Sequence, residues 1–256
     1  VAPPNGEPVP DPTGDVVPDT VSPVPSDSVP ADGSVAPEQT TSTVAPEPAQ
    51  VDELVLTDDF SGERPTWGDS TWDVDIPGEA SATVIDGVGV METDLRGTHE
   101  WVRALAPGST HEDAELLARI TPVRSNEGTV FLGLHGDGEW RDASPYLPQT
   151  GVVVEYSYSP IFEGEFVLIV LDGPDERRST PVVGPVLDDG DSATIRFVVV
   201  DGRARVKIWR TGDEEPAGWA IEGDTASTDG GVVQIAYRDG VGQSVAWDEL
   251  TLRLFP

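Results

Sequence analysis

The chain has 256 residues, no cysteine, and 47 acidic against 15 basic side chains, for a formal net charge of −32. Such a surface repels phosphate backbones and anionic bilayers, which excludes nucleic acid as a partner, and no apolar run approaches the roughly 18–20 residues that cross a bilayer, which excludes membrane insertion. Without thiols there are no disulfides, thiolate metal ligands or cysteine nucleophiles, so stability must come from a packed core.

Residues 1–50 hold 12 of the 24 prolines and eight acids, with no aromatic residue, Lys or Arg. Proline blocks helix interiors and sheet ladders, and the segment offers too little apolar surface to offset its ordering entropy. The expectation is a disordered, proline-rich acidic linker or stalk. Fully extended it would span on the order of 150 Å at ~3.1 Å per residue, enough to separate residues 51–256 from a wall, a membrane or a second domain. The chain starts at Val1 rather than Met, which suggests a processed or excised piece whose signal peptide is gone.

From Val51 the texture changes. Short β-prone runs recur between Gly, Asp and Pro: "SATVIDGVGVMETD", "GTVFLGLHGDGEW", "TGVVVEYSYSP", "GEFVLIVLDG", "SATIRFVVVDGRARVKIW", "GGVVQIAYRDG" and "QSVAWDELTLRLF". Most alternate apolar and polar residues, the period of a half-buried strand. Within "VVVDGRARV", Asp201-Gly202 predicts a two-residue type I′ hairpin turn, because Gly accepts positive φ without strain. One stretch gives two signals. Ser109 and Glu112 of "STHEDAELLARI" resemble a helix capping box, yet Ala114, Leu116, Ala118 and Ile120 alternate like a strand. Its neighbours are strands, and the strand reading is preferred. Roughly a dozen strands in some 200 residues, with no strong helix, predict one all-β domain over residues 51–256: an antiparallel two-sheet jelly-roll sandwich.

The domain opens with "LTDDFSG" at Leu56–Gly62 and closes with "VAWDELTLRL" at Val245–Leu254. An Asp-Asp-Phe opening strand and an aromatic-Asp closing strand resemble the concanavalin A-like lectin/glucanase (laminin-G-like) jelly rolls. "KIWRTGDEEPAGW", Lys207–Trp219, resembles a feature of such modules in actinobacterial secreted proteins and phage tail proteins: a strand ending in Trp209, then Gly212, Glu215, Pro216 and Trp219. Pro216 cannot join a ladder, so the chain must turn there. The two tryptophans read as anchors around a rigid loop, with sugar stacking by Trp209 as the alternative. The superfold hosts many activities, so the resemblance speaks to fold more than to function. It also implies a structural calcium where the first and last strands meet, with Asp248 and either Asp58 or Asp59 as carboxylate ligands. Solvated or turn-capping acids are the alternative.

Glycoside hydrolysis needs two convergent carboxylates. The glucanases of this group carry them on one strand as Glu-x-Asp-x-(x)-Glu. In "VVVEYSYSP", Glu155 is followed at the alternate positions by Ser157 and Ser159, so that pattern is absent. A Gly-x-Ser-x-Gly elbow, a phosphate-binding glycine loop and a His-rich metal motif are absent too. His99, His111 and His135 are the only histidines, and His135 reads as a loop residue. The long loop "HGDGEWRDASPYLPQTG", His135–Gly151, is the best groove candidate because loops of that length are usually functional or mobile. It presents Trp140, Arg141 and Tyr146, to which Trp101 and Trp209 can add aromatic walls for the C–H face of a sugar. The alternative is that Trp140 and Tyr146 pin the loop to the core.

The resulting expectation is a non-catalytic, secreted or surface-displayed module, virion tails included. It binds a glycan or another cell-surface component through a concave face. A structural or protein-interaction module, contacting another protein domain, is the second reading. A hydrolase with a non-standard carboxylate pair is the third.

Overall fold

The computed structural model describes residues 53–61, 67, 72–76, 80–93, 101–107, 113–124, 127–225, 231–238 and 243–255. The stalk expected at residues 1–50 lies outside them. In chain order the strands are β1 (Glu53–Asp58), β2 (Asp73–Asp75), β3 (Ser81–Ile85), β4 (Val88–Glu92), β5 (Trp101–Pro107), β6 (Asp113–Pro122), β7 (Thr129–Gly136), β8 (Trp140–Arg141), β9 (Ser144–Pro148) and β10 (Gly151–Ser157). After a short 3₁₀ turn at Pro160–Phe162 come β11 (Glu165–Asp172), β12 (Asp175–Arg178), β13 (Val182–Val183), β14 (Ala193–Val200), β15 (Arg203–Arg210), β16 (Ile221–Asp224), β17 (Val232–Arg238) and β18 (Ser244–Phe255).

Two antiparallel sheets of eight strands result. The first runs β16-β15-β14-β6-β18-β4-β3, with β1 also on β18; the second runs β12-β11-β10-β7-β17-β5-β2, with β13 also on β11. The strand reading of residues 113–122 holds, because β6 pairs with both β14 and β18 in the middle of the first sheet. There Leu116, Ala118 and Ile120 are fully buried, and two-sided pairing overrides local helix propensity. The predicted turn is present as well: Asp201 and Gly202 have φ of 51° and 68°, the type I′ signature, between Val200 and its partner Arg203.

Period-two alternation builds the core between the sheets. Leu116, Phe197, Val206 and Leu252 of the first sheet share one buried cluster with Leu132, Val154, Phe166 and Ile235 of the second. Phe60, Trp67 and Trp72 close one end, with the Phe60 and Trp67 ring centroids 4.7 Å apart. The second sheet carries apolar side chains on its other face too. Phe131, Val153, Ile169, Leu171 and Ala236 form a smaller buried cluster with Leu147. What covers that face decides where a ligand can sit.

Candidate functional site: a groove on the outer face of the second sheet

Strand β10 sets the site through its alternation. Val152, Val154 and Tyr156 enter the core, which puts Val153, Glu155 and Ser157 on the outer face. Register then assembles rows across β17, β7 and β10. One row is Arg238, Thr129 and Ser157; the next is Ala236, Phe131 and Glu155; the third is Gln234, Gly133 and Val153. The face therefore grades from polar to apolar along the strands.

The apolar end is covered. Residues 140–148, expected as an open loop, fold into the β8–β9 hairpin and lie over it. Tyr146 packs on Phe131 with centroids 4.8 Å apart, its hydroxyl accepts from Arg238 Nη1 at 3.0 Å, and the Arg238 guanidinium sits 4.8 Å from the Tyr146 ring. Arg141 donates to Glu176 at 2.9 Å and to the carbonyls of Gly173 and Asp175 at 2.7 and 3.0 Å. Trp140 lies under the Arg103 guanidinium at 4.5 Å. Each of Trp140, Arg141 and Tyr146 thus has an anchoring contact that holds the hairpin down.

The polar end stays open as a groove of about 670 Å³, bounded by Glu127, Glu155, Glu165, Arg178, Arg238 and the exposed Phe162. On its floor the Thr129 and Ser157 hydroxyls are 2.9 Å apart. Arg178 reaches Glu155 at 2.7 Å and Glu176 at 2.6 Å. Ser159, fully buried, caps the 3₁₀ turn by accepting from the Ile161 amide at 3.0 Å, which leaves Ile161 and Phe162 68% and 54% exposed at the rim. Beneath the floor, burial pushes the Tyr156 phenol well above its usual value and keeps it a neutral donor to the Pro185 carbonyl. The groove thus offers hydroxyls, a paired carboxylate and guanidinium, and one aromatic platform.

The structure does not unite all the residues singled out from the sequence. Trp209 belongs to β15 of the first sheet, whereas Trp140 and Tyr146 cover the second, so they do not line a common site. Trp101 begins β5 in the second sheet; its side chain lies outside the described residues. Of the two tryptophans expected to anchor the Lys207–Trp219 loop, Trp219 has an anchoring contact in the geometry. Lys207 donates to the Pro216 carbonyl at 2.9 Å, pairs with Glu215 at 2.6 Å, and places its ammonium 4.6 Å from the Trp219 ring. Arg196 bridges Glu215 to the buried Glu115.

The carboxylates considered for calcium are not gathered either. Strands β1 and β18 do pair, with Asp58 opposite Leu250. Yet Asp58 is buried and accepts from the Phe60 amide at 2.8 Å and the Trp72 indole at 3.2 Å, while Asp59 accepts from the Ser61 amide. Asp248 is bound by Arg119, beside a bulge where Glu249 has φ of 53°. A guanidinium on one carboxylate and an indole on another make a donor set unsuited to Ca²⁺. Among the described residues, no three His, Asp or Glu side chains are grouped to hold a metal.

No family model and no curated protein matches the chain. Solved structures do. The CBM2 module of the evolved Dit protein of Lactobacillus casei BL23 phage J-1 superposes with a TM-score of 0.54 at 11% identity, over 80% of this chain and 97% of that one. The exoplasmic/lumenal domain of VIP36, in a Ca²⁺/Man2-bound form, gives 0.55 at 12% over 75% and 85%. The fold is the concanavalin A-like jelly roll. The xylan β-1,4-xylosidase of Bacillus halodurans C-125 also aligns, with a TM-score of 0.51 at 12% identity over 77% of this chain, which spans only 38% of the xylosidase. At such identities the likeness to other jelly rolls speaks for the fold and carries over no residue roles.

Sequence reasoning missed Arg238, Arg178 and Thr129 as groove residues. Glu155 and Ser157 were legible as neighbours on one strand face. Arg178 and Arg238 come from distant strands, and only register brings them there.

Proposed function

We propose that residues 51–256 form a non-catalytic, extracellular binding module that takes a glycan into the groove on the outer face of the second sheet, with residues 1–50 as its spacer. The observation that carries this is the pairing of the Thr129, Ser157 and Glu155–Arg178 polar groups with the exposed Phe162 ring in one open groove. Sugars need both elements: fixed donors and acceptors for hydroxyls, and an apolar face for the C–H side of the ring. The likeness to the CBM2 module of the phage protein and to the Man2-bound VIP36 domain supports the same reading. The contacts of Asp58, Asp59 and Asp248 with the Trp72 indole, the Ser61 amide and Arg119 support a reading in which these carboxylates serve the fold. Trp140, Arg141 and Tyr146 hold the hairpin over the apolar end of the same sheet face.

One observation favours hydrolysis as a second reading: Glu127, Glu155 and Glu165 all border the groove. Arg178 already holds Glu155, which argues against a free acid there.

A binding screen of the full chain against polysaccharides and cell-wall preparations tests both. Saturable binding that weakens about tenfold or more (~1.4 kcal/mol) in Phe162→Ala and Arg178→Ala, with folding intact, is the expected result. Release of reducing ends in the same incubations would move the weight to hydrolysis. Binding indifferent to both substitutions would remove the groove as the site.

A further inference from the structure

Beneath the β8–β9 hairpin lies a crevice lined by Phe131, Gly133, Trp140, Tyr146, Pro148 and Gln234. Gln234 is 2% exposed, and neither its Oε1 nor its Nε2 has a hydrogen-bond partner among the described residues. A carboxamide brings two N–H donors and an oxygen with two lone pairs, and burying all of them unmet is unfavourable. A trapped water is the usual remedy, but the crevice is too narrow to admit one. An apolar side chain would suit a purely structural position better.

The surroundings make room for the amide. A Cβ at Gly136 would lie 2.2 Å from Gln234 Oε1, and one at Gly133 would lie 3.3 Å from Gln234 Cβ. Neither glycine has a positive φ, so the backbone does not require them; the space for the carboxamide requires Gly136, while Gly133 is a tight fit.

The cover is held by side chains rather than by a ladder. The β8–β9 hairpin is a two-stranded sheet of its own, with no ladder to either large sheet. Side chains hold it: Arg141 on the β11–β12 turn, Arg103 on the Pro145 carbonyl, and Arg238 on the Tyr146 hydroxyl. Gly138 and Gly151, with φ of 85° and 129°, bracket it and can absorb a hinge motion. The crevice lies on the same strand face as the open groove. Gln234, Ala236 and Arg238 are successive outward residues of β17; Arg238 borders the groove and Gln234 the crevice, with Tyr146 between them.

We infer that the crevice is a covered subsite of the groove, exposed when the hairpin lifts, in which the Gln234 carboxamide binds two adjacent hydroxyls of one sugar residue. Oε1 accepts from one hydroxyl and Nε2 donates to its neighbour. Trp140, Tyr146 and Phe131 flank the sugar's C–H face. This rests on the glycan reading of the groove and extends it by one residue of the chain. It also assigns the hairpin a role in admission, since ligand can meet Gln234 only after the Arg238–Tyr146 contact opens.

The test is calorimetric titration of the full chain with oligosaccharides of four or more units prepared from mannan, xylan and a β-glucan. Three proteins are compared: the native chain, Gln234→Met, which keeps the length without polar atoms, and Glu155→Gln. Hydrogen exchange of the native protein's amides in residues 140–148 is followed with and without the same oligosaccharide. The expected result is tenfold or greater weakening in Gln234→Met without a lower melting temperature, and faster exchange in the hairpin once sugar is bound. Native affinity in Gln234→Met beside weakened binding in Glu155→Gln leaves the groove in place and overturns the subsite. Unchanged hairpin exchange in the native complex overturns it without relying on any variant. No binding of any of the three oligosaccharides by the native chain removes the groove reading and the subsite with it.

Discussion

Asp58 and Glu215 show how acids that could have been ligands become structural. Asp58 accepts from the Phe60 amide and the Trp72 indole in a site only 4% exposed. Asp58→Ala removes a buried acceptor from the Phe60 amide and the Trp72 indole, so it should destabilise the fold by about 1–3 kcal/mol in urea unfolding. The loss should be the same in EDTA and in millimolar Ca²⁺; a calcium-dependent difference would restore Asp58 as a metal ligand. Glu215 is held below the usual carboxylate range, first by its bond to Lys207 and then by Arg196, against a desolvation that works the other way. A depressed folded value means the stabilisation is fully present above the ordinary glutamate value of 4.5 and is lost as pH falls through the folded one. The loop from Thr211 to Trp219 should therefore loosen in that acid window. The Trp219 indole resonance followed by NMR against pH would show it, and Glu215→Gln should abolish the transition.

At the scale of the element, strand β4 depends on a missing side chain. A Cβ on Gly89 would fall 2.4 Å from the Trp67 ring and 2.5 Å from that of Phe60, both fully buried. Neither ring has a flexible end to move. Gly89→Ala should cost ~1–3 kcal/mol or more by overpacking, read as a lower urea midpoint with an unchanged slope. An unaltered midpoint would mean that this end of the sandwich packs more loosely than the structure shows. The β14–β15 hairpin is the opposite case, since its turn chemistry lies wholly within two residues and was readable in "DG". The β8–β9 hairpin was not readable. Its residues carry turn formers and aromatics, and what folds them back is contact with Phe131, Arg238 and the β11–β12 turn, all remote in sequence.

Across the whole molecule, the 47 acids far outnumber the cations available to pair with them. Ion pairs such as Arg196–Glu115 and Lys207–Glu215 use the scarce bases to fasten the outer face of the first sheet, and the excess of acids repels itself. Raising NaCl from about 0.01 M to about 1 M shortens the screening length from ~30 Å to ~3 Å. The melting temperature should rise over that range. A fall would show that the local pairs outweigh the long-range repulsion.

The period-two runs, the "DG" turn and the absence of a strong helix determined the all-β class and the sandwich, because strand faces and tight turns are local properties of the chain. Alternation in "VVVEYSYS" likewise put Glu155 and Ser157 on one face. Which residues meet across that face was not local. Register between β17, β7 and β10 joins Arg238 to Thr129 and Ser157, the β12 edge supplies Arg178, and the β8–β9 hairpin folds back over the apolar end of that face. The same holds for Asp58 and Asp248. The sequence placed them on pairing strands, and tertiary packing decided that an indole and a guanidinium would occupy their carboxylates.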